Sequence, residues 1–481
     1  MSTNYKTPGV FVEEVSKFPP SVAGVSTAIP VFIGFTEKVP EGMAKKAIKV
    51  TSLVDYVDKF GEGPQLTIED GALRGHEFCL YDSIRLFYDN GGGTCYICSI
   101  GQYNTIIANV SADNYKGEKN EIFTSLEKID EITLVLFPDA AMILNATQLG
   151  TLQQAALKHC GEMKDRFAIL DVKELNTLDT TMDTFREKIG SQYLSYGAAY
   201  YPYLKTTYTK NIAFEEIMLN ELIDETTNII KEKYTQQLIS KDKDLLDTNL
   251  DKYNDANTSD VDKKLLAKAI MNLIPGYSDI AAKYQAQASY IPASGAIAGI
   301  YCATDNNKGV WQSPANISIA SVSDVKERLS DSEQENLNVD ATAGKSINAI
   351  RFFNGKGIIV WGARTLDGNS NEWRYVAVRR LFNYIEESVQ KSTNWAVFQP
   401  NDANTWVKVQ CQIENFLSNL WRDGALAGPT PEKAFFVKVG QDVTMTANDV
   451  LEGKLIVEIG IAAVRPAEFI ILKFSHKLQE A

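Results

Sequence analysis

Along this chain, apolar positions form short proline-fenced runs at both ends and alternate between strand-like and helix-like spacing in between. Near the start, Thr7-Pro8-Gly9 opens the run Val10, Phe11, Val12, Glu13, Glu14, Val15, and Pro19-Pro20 stops it. Near the end, Pro466-Ala467-Glu468 leads into Phe469, Ile470, Ile471, Leu472, Lys473 and Phe474. Each run reads as a single strand bounded by proline. A lone strand leaves its N–H and C=O groups unpaired and needs a sheet to join. That sheet lies either in a neighbouring copy or in the same chain.

Between the ends, residues 21–36 are small and β-rich and read as the first strand of a folded body. Residues 53–60 and 81–88 read as short helices, the second ended by Asn90-Gly91-Gly92-Gly93. The unbroken apolar run 132–137 predicts a strand buried on both faces. Leu149, Leu152, Ala156, Cys160 and Met163 follow at helical spacing, and 167–171 and 197–201 are further strands. Strand, helix, strand in this order implies an α/β domain with a mainly parallel sheet and helices on its faces.

No glycine falls between Gly197 and Gly276 and no proline between Pro202 and Pro275, and the stretch is rich in Lys, Glu and Asp. It reads as a helical, solvated insertion over about 205–290. Residues 290–365 read as loops and short strands with many small residues. From Trp373 onward, Val378, Leu381, Phe382, Ile385 and Val389 form one helix stripe, and 395–398 reads as a strand. Trp406, Val409, Ile413, Phe416, Leu417 and Leu420 form a second helix stopped by Gly424. Strands at 434–439 and 454–461 complete a compact α+β domain.

At 481 residues, 44% hydrophobic and 23% charged, the chain has the composition of a soluble globular protein of two or three domains. Its formal net charge of -13 argues against general nucleic-acid binding and against docking on anionic membranes. The first residues lack the apolar core of a signal peptide, and no apolar span is long enough to cross a bilayer. The expectation is therefore residence in the cytoplasm until the cell releases its contents, with no direct membrane insertion.

The chemistry of known sites is sparse. The six cysteines, Cys79, Cys95, Cys98, Cys160, Cys302 and Cys411, read as reduced and mostly buried. Cys95 and Cys98 form a CxxC inside a strand-like run, where positions three apart face opposite sides. The three histidines, His76, His159 and His476, are far apart in sequence, so no metal site is assigned. Ala343-Gly344-Lys345-Ser346 resembles the end of a phosphate-binding loop, but Val339 stands where that pattern needs glycine. Pro292-Ala293-Ser294-Gly295-Ala296 lacks the glycines of a nucleophile elbow. Asp139 and Asp171 sit where parallel strands end, the place for catalytic acids or Mg²⁺ ligands. Each equally suits a turn or a helix cap, and nothing in the sequence converges on them. No catalytic residue and no cofactor is assigned.

Several stretches, in a fixed order along most of the chain, carry a resemblance. They are Tyr5 to Val15, Ser21 to Ala28, the block from Pro292 to Tyr301, Gly309 to Asn316, and Ile347 to Arg351. Gly357 to Leu366, Trp373 to Leu381 and Pro466 to Phe469 follow. Together they resemble the tail sheath family of contractile phage tails and related contractile injection systems. The stretch from about 205 to 290 is least like that family.

The resemblance implies a structural protein, not an enzyme, that stacks as sixfold rings into a helical sleeve around an inner tube. It implies a metastable extended state whose contraction drives the tube through a target membrane. The implied partners are other copies of the chain, the inner tube protein, and baseplate and terminal cap proteins. The domains it implies are an N-terminal arm (1–20), an N-terminal sheath region (21–100) and a middle α/β domain (101–355) with a protease-like scaffold that lacks catalytic groups. A C-terminal α+β domain (356–465) and a C-terminal arm (466–481) follow. The arms, Val10 to Val15 and Phe469 to Phe474, are implied to join the C-terminal sheet of adjacent subunits, near 434–439 and 454–461. Arg351, Arg364, Arg374, Arg379 and Arg380 cluster in the matching region and are candidates for inter-subunit or tube-facing charges, with pairing inside the domain the alternative. The competing readings are a static tube or shell subunit and a cytoplasmic α/β enzyme using Asp139 or Asp171. Assembly in a bacterial cytoplasm is expected, with a final place in a phage tail, a released extracellular particle or a membrane-anchored injector.

Overall fold

In a computed structural model of the chain, the apolar run Pro30–Thr36 forms a strand buried at every position. The structure describes residues 22–69, 72–210, 212–218, 235, 238–340 and 342–471, with the backbone alone at Asp260. The N-terminal arm residues Val10 to Val15, and Leu472, Lys473 and Phe474 of the C-terminal arm, lie outside the described residues. The described residues divide into two units, Ser26–Asn383 with 465–471, and Tyr384–Val464 with 22–25.

The larger unit is built on a nine-stranded mixed sheet. Its strand order is Ile317–Ser318, Gly357–Val360, Ile347–Phe353, Gly197–Tyr201, Phe167–Asp171, Leu134–Leu136, Pro30–Thr36, Cys95–Gln102 and Ala47–Val50. The five pairings from Ile347–Phe353 across to Cys95–Gln102 are parallel, and the outer ones are antiparallel. Period-two alternation divides the core between the two faces. Val31, Ile33, Phe35, Cys98 and Val135 pack on one side, and Phe32, Cys95, Ile97, Leu134 and Leu136 on the other. Cys95 and Cys98 thus point into different layers. Strands from 21–100 and strands from 101–355 both contribute to this one sheet.

The stretch 290–365 holds more than loops. Ser294–Lys308 is a fifteen-residue helix with its first ten residues almost all buried. Its small residues hide it from periodicity, because a helix enclosed on all sides carries no amphipathic stripe. They also let it approach the helix Leu80–Asp89 closely. A Cβ on Gly295 would meet the Ser83 carbonyl oxygen at 2.4 Å, and one on Gly299 would meet that of Phe87 at 2.5 Å.

The insertion is helical over Phe214–Ile217, Ser240–Asn254, Asp260–Leu273 and Tyr277–Ala288. It also has a core of its own. Leu246, Leu250, Tyr253, Ile270 and Tyr284 pack with Leu66 and with Ile68 and Leu73 of the hairpin formed by Thr67–Glu69 and Ala72–Arg74. Among the described residues no helix is long and apolar enough to cross a membrane.

In the smaller unit, helix Ala403–Arg422 starts at Asp402, whose Oδ1 accepts the Thr405 N–H at 3.0 Å. Val409, Ile413, Phe416, Leu417 and Leu420 form its buried stripe. Strands Phe435–Val439 and Val457–Ile461 pair antiparallel as a two-stranded sheet. The strand expected at 395–398 is absent. Asn394–Ala396 is a 3₁₀ turn, the Trp395 indole donates to Gln412 Oε1 at 2.8 Å, and Phe398 is fully exposed at φ 65°. Aromatic and β-branched residues favour strands, but a left-handed Phe398 ends any ladder there.

Candidate functional site

The carboxyl ends of the parallel strands hold buried acids that are committed to holding the fold. Asp139 accepts the Phe35 N–H at Oδ2 and the Tyr115 hydroxyl at Oδ1, both at 2.9 Å. Asp171 Oδ1 accepts the Ser294 N–H at 2.9 Å, at the start of helix Ser294–Lys308, where a carboxylate suits the helix dipole. Burial pushes each carboxyl up to about 7, against hydrogen bonds that pull it down. Cys79 lies near both acids. Burial first and then Asp139 and Asp171 raise its thiol well above the ordinary range, which holds it as an unreactive thiol. Its Sγ donates to the Pro138 carbonyl at 3.2 Å.

The loop that resembles a phosphate site closes on itself. Asp340 accepts the Thr342 N–H at Oδ1 (3.0 Å) and the N–H groups of Ala343 and Lys345 at Oδ2 (3.1 and 3.3 Å). The amides that would cradle a phosphate are taken by the chain's own carboxylate. Burial works to raise Asp340, but these amides and Arg186 outweigh it and hold the group below its ordinary value.

Each arginine of the cluster has a partner inside the larger unit. Arg351 Nη1 donates to Asp331 Oδ1 at 2.6 Å and to Gln334 at 2.8 Å. Arg374 donates to the Gly368 carbonyl at 3.0 Å. Arg379 donates to Asn383 at 2.8 Å and lies 4.0 Å from the Trp373 ring centroid. Arg380 is buried against Asp305 and Tyr301.

Arg364 reaches the root of the C-terminal arm. Its Nε donates to Glu468 Oε1 at 2.9 Å and its Nη2 to Oε2 at 2.6 Å. Asn338 Nδ2 donates to Oε1 at 2.7 Å and the Tyr375 hydroxyl to Oε2 at 3.1 Å. Burial tends to raise the Glu468 carboxyl, and Arg364, Asn338 and Tyr375 together bring it below its ordinary value. Just beyond, Phe469, Ile470 and Ile471 are 69%, 78% and 80% exposed and belong to no strand. Glu468, Asn338 and Tyr375 were not singled out from the sequence. The available signal was an acid directly before an apolar run, in a chain whose arginines had no assigned partners.

Ala23 and Val25 are fastened inside the smaller unit. Ala23 N–H donates to Ser392 Oγ and Val25 N–H to Ser388 Oγ, each at 3.2 Å. In the same unit Phe436 faces Gly460 across the two-stranded sheet. A Cβ on Gly460 would lie 2.1 Å from the Phe436 ring, so only glycine leaves that ring its place.

Comparison with known proteins gives a consistent picture. A family model described as phage tail sheath protein central domain matches residues 118–366, and one described as phage tail sheath C-terminal domain matches 369–477. The tail sheath protein of Vibrio phage KVP40 is 24% identical over 193 residues, 40% of this chain and 27% of that protein, so the match spans about a quarter of the phage relative. A cryo-EM structure of the sheath complex of an extracellular contractile injection system, PVC, in the contracted state is 27% identical with a TM-score of 0.62, covering 99% of both chains. The contracted helical sheath of the anti-feeding prophage is 27% identical with a TM-score of 0.63, covering 98% of this chain and all of that one.

Proposed function

The chain belongs to the phage tail sheath family, and we propose that it is a structural, non-enzymatic subunit of a contractile sheath. On this reading, copies stack as sixfold rings around an inner tube. A metastable extended sleeve then shortens to drive that tube through a target membrane. Baseplate and terminal cap proteins bound the sleeve at its two ends. Similarity to the sheath of an extracellular contractile injection system supports an injection particle released from the cell.

One observation carries the reading. Among the described residues, Phe469–Ile471 is an exposed apolar segment outside every strand, and the sheet of the smaller unit has two strands. Strand addition from a neighbouring copy satisfies both, through directional main-chain bonds that leave the domain bodies free to repack. An arm of twenty extended residues spans at most roughly 65–70 Å, enough to reach another subunit. About 200 Å² of extra apolar burial on contraction would supply about 5 kcal/mol per subunit, with no nucleotide required.

Electron microscopy of the expressed chain tests this. Striated sleeves in a long and a short form are expected, and removal of residues 1–18 should leave folded subunits that no longer form sleeves. Plain tubes of one length would favour a static assembly, and dispersed particles from the intact chain would end the proposal.

A further inference from the structure

We propose that Arg364, Asn338 and Tyr375 form a carboxylate cup that grips Glu468 and sets the register in which the C-terminal arm leaves its subunit. The inference rests on the strand-exchange reading above. It names the positioning residues that make the exchange specific.

The arginine of the cup is held by groups other than Glu468. Arg364 is 4% exposed, and its Nη1 is held by the carbonyls of Asn338 and Gly368 at 3.3 and 3.4 Å. Asn348, on strand Ile347–Phe353, bonds both backbone groups of Arg364. Its Oδ1 accepts the N–H at 2.7 Å, and its Nδ2 donates to the carbonyl at 2.8 Å and to that of Ala199 at 3.1 Å. Arg364 is thereby tied to two central strands. A backbone bridge joins it to Tyr375, flanked by Thr365 N–H to the Arg374 carbonyl (2.8 Å) and Val376 N–H to that of Ala363 (3.1 Å). Four donors from three side chains then converge on one carboxylate, and the fork of Arg364 fits it in a single orientation.

Position makes the grip consequential. Glu468 is the last residue before the exposed run Phe469, Ile470, Ile471. In a strand, neighbouring side chains face opposite sides, so a slip of one residue would turn every apolar side chain of the arm to the wrong face of its acceptor sheet. A short apolar run has little else to define its register. A charged anchor at its root removes that freedom.

The test uses the full chain with Cys411, the one exposed cysteine among the described residues, changed to Ser and a nitroxide placed through Ile471→Cys. Glu468→Gln keeps the shape and removes the charge. It should raise nitroxide mobility and raise the protein concentration needed for sleeves by about tenfold, the effect of about one charge-assisted hydrogen bond; because Arg364 then lacks its counter-ion, the melting temperature of the dispersed subunit should also fall. Tyr375→Phe, which removes a single donor, should shift mobility and assembly threshold in the same direction by less. Deletion of 469–481 separates the two levels of the reading. If sleeves persist without those residues, the strand-exchange reading itself fails. If the deletion abolishes sleeves while both point variants match the parent in mobility and assembly threshold, the cup is refuted and strand exchange stands. A lowered melting temperature in both point variants, with mobility unchanged, also overturns the cup, because it marks a role in the fold alone.

Discussion

Arg380 and Asp305, 75 positions apart, form a closed ion pair inside the larger unit. Nη1 donates to Oδ1 at 3.0 Å and Nη2 to Oδ2 at 2.5 Å, with both side chains almost fully buried. Arg380 also donates to the Thr27 carbonyl at 2.9 Å, and the Thr27 hydroxyl donates to Asp305 at 2.5 Å. The pair therefore fastens the chain leading into strand Pro30–Thr36 to helices Ser294–Lys308 and Val376–Ser392.

Removing one member leaves the other charge buried without its counter-ion. Asp305→Ala should cost about 3–5 kcal/mol. The double change Arg380→Met with Asp305→Leu should cost clearly less than Asp305→Ala alone. Denaturant unfolding of the three proteins measures both, and equal losses would show that the charges do not act as a pair.

Asp139 and Asp171 set a pH dependence. Their folded values, about 7, lie above the ordinary 3.8, so the folded chain holds protons that the unfolded chain gives up. That contribution is complete below about 4 and is lost as pH rises through about 7. His159, held down to about 4 by burial and by Arg166, acts in the opposite sense, its contribution disappearing as pH falls from 6.5. His76, also held down by burial, acts in the same sense as His159. Each pH unit of displacement corresponds to about 1.4 kcal/mol, so two carboxyls raised to about 7 outweigh the two lowered imidazoles. The melting temperature should fall between about pH 5 and about pH 8. Asp139→Asn, neutral at every pH, should flatten part of that fall, and an unchanged slope would contradict the assignment.

Gly460→Ala should damage the two-stranded sheet selectively. The added methyl collides with the Phe436 ring, and such overpacking typically costs about 1–3 kcal/mol. Calorimetry of dispersed subunits should register this loss, and microscopy should find a higher concentration needed for sleeves. Normal assembly by a destabilised Gly460→Ala subunit would count against this sheet as the acceptor.

Leu246→Ala should open a cavity confined to the insertion, costing about 2–5 kcal/mol there. Because that core groups apart from those on the two faces of the large sheet, trypsin should cut faster within Ser240–Asn254 while sleeves still form. Loss of sleeves would instead give the insertion a part in assembly.

Much of the fold was legible where local pattern decides it. Phe167–Asp171 and Gly197–Tyr201 were read to the residue, because continuous apolar runs ended by charge or proline leave little choice. Helix Leu53–Phe60 was legible from the glycines that close it, Gly61 and Gly63. Pairing was less legible. Nothing near Leu66 announces that it packs on Leu246, some 180 residues away in sequence. Trp395 and Phe398 misled because strand preference is a property of surroundings as much as of residue type. The cup around Glu468 was invisible for the same reason. Its three walls come from positions 338, 364 and 375, and only the folded sheet brings them together.

The pairing of Phe435–Val439 with Val457–Ile461 has a further consequence. The ribbon is backed by helix Ala403–Arg422, but among the described residues it has two strands with open outer edges, so a solitary subunit carries a soft spot that incoming neighbours would firm up. The rim of a growing sleeve would then be more pliable than its interior. Growth would favour addition to an existing end over fresh starts in solution, and wear would begin at the ends and spare the middle.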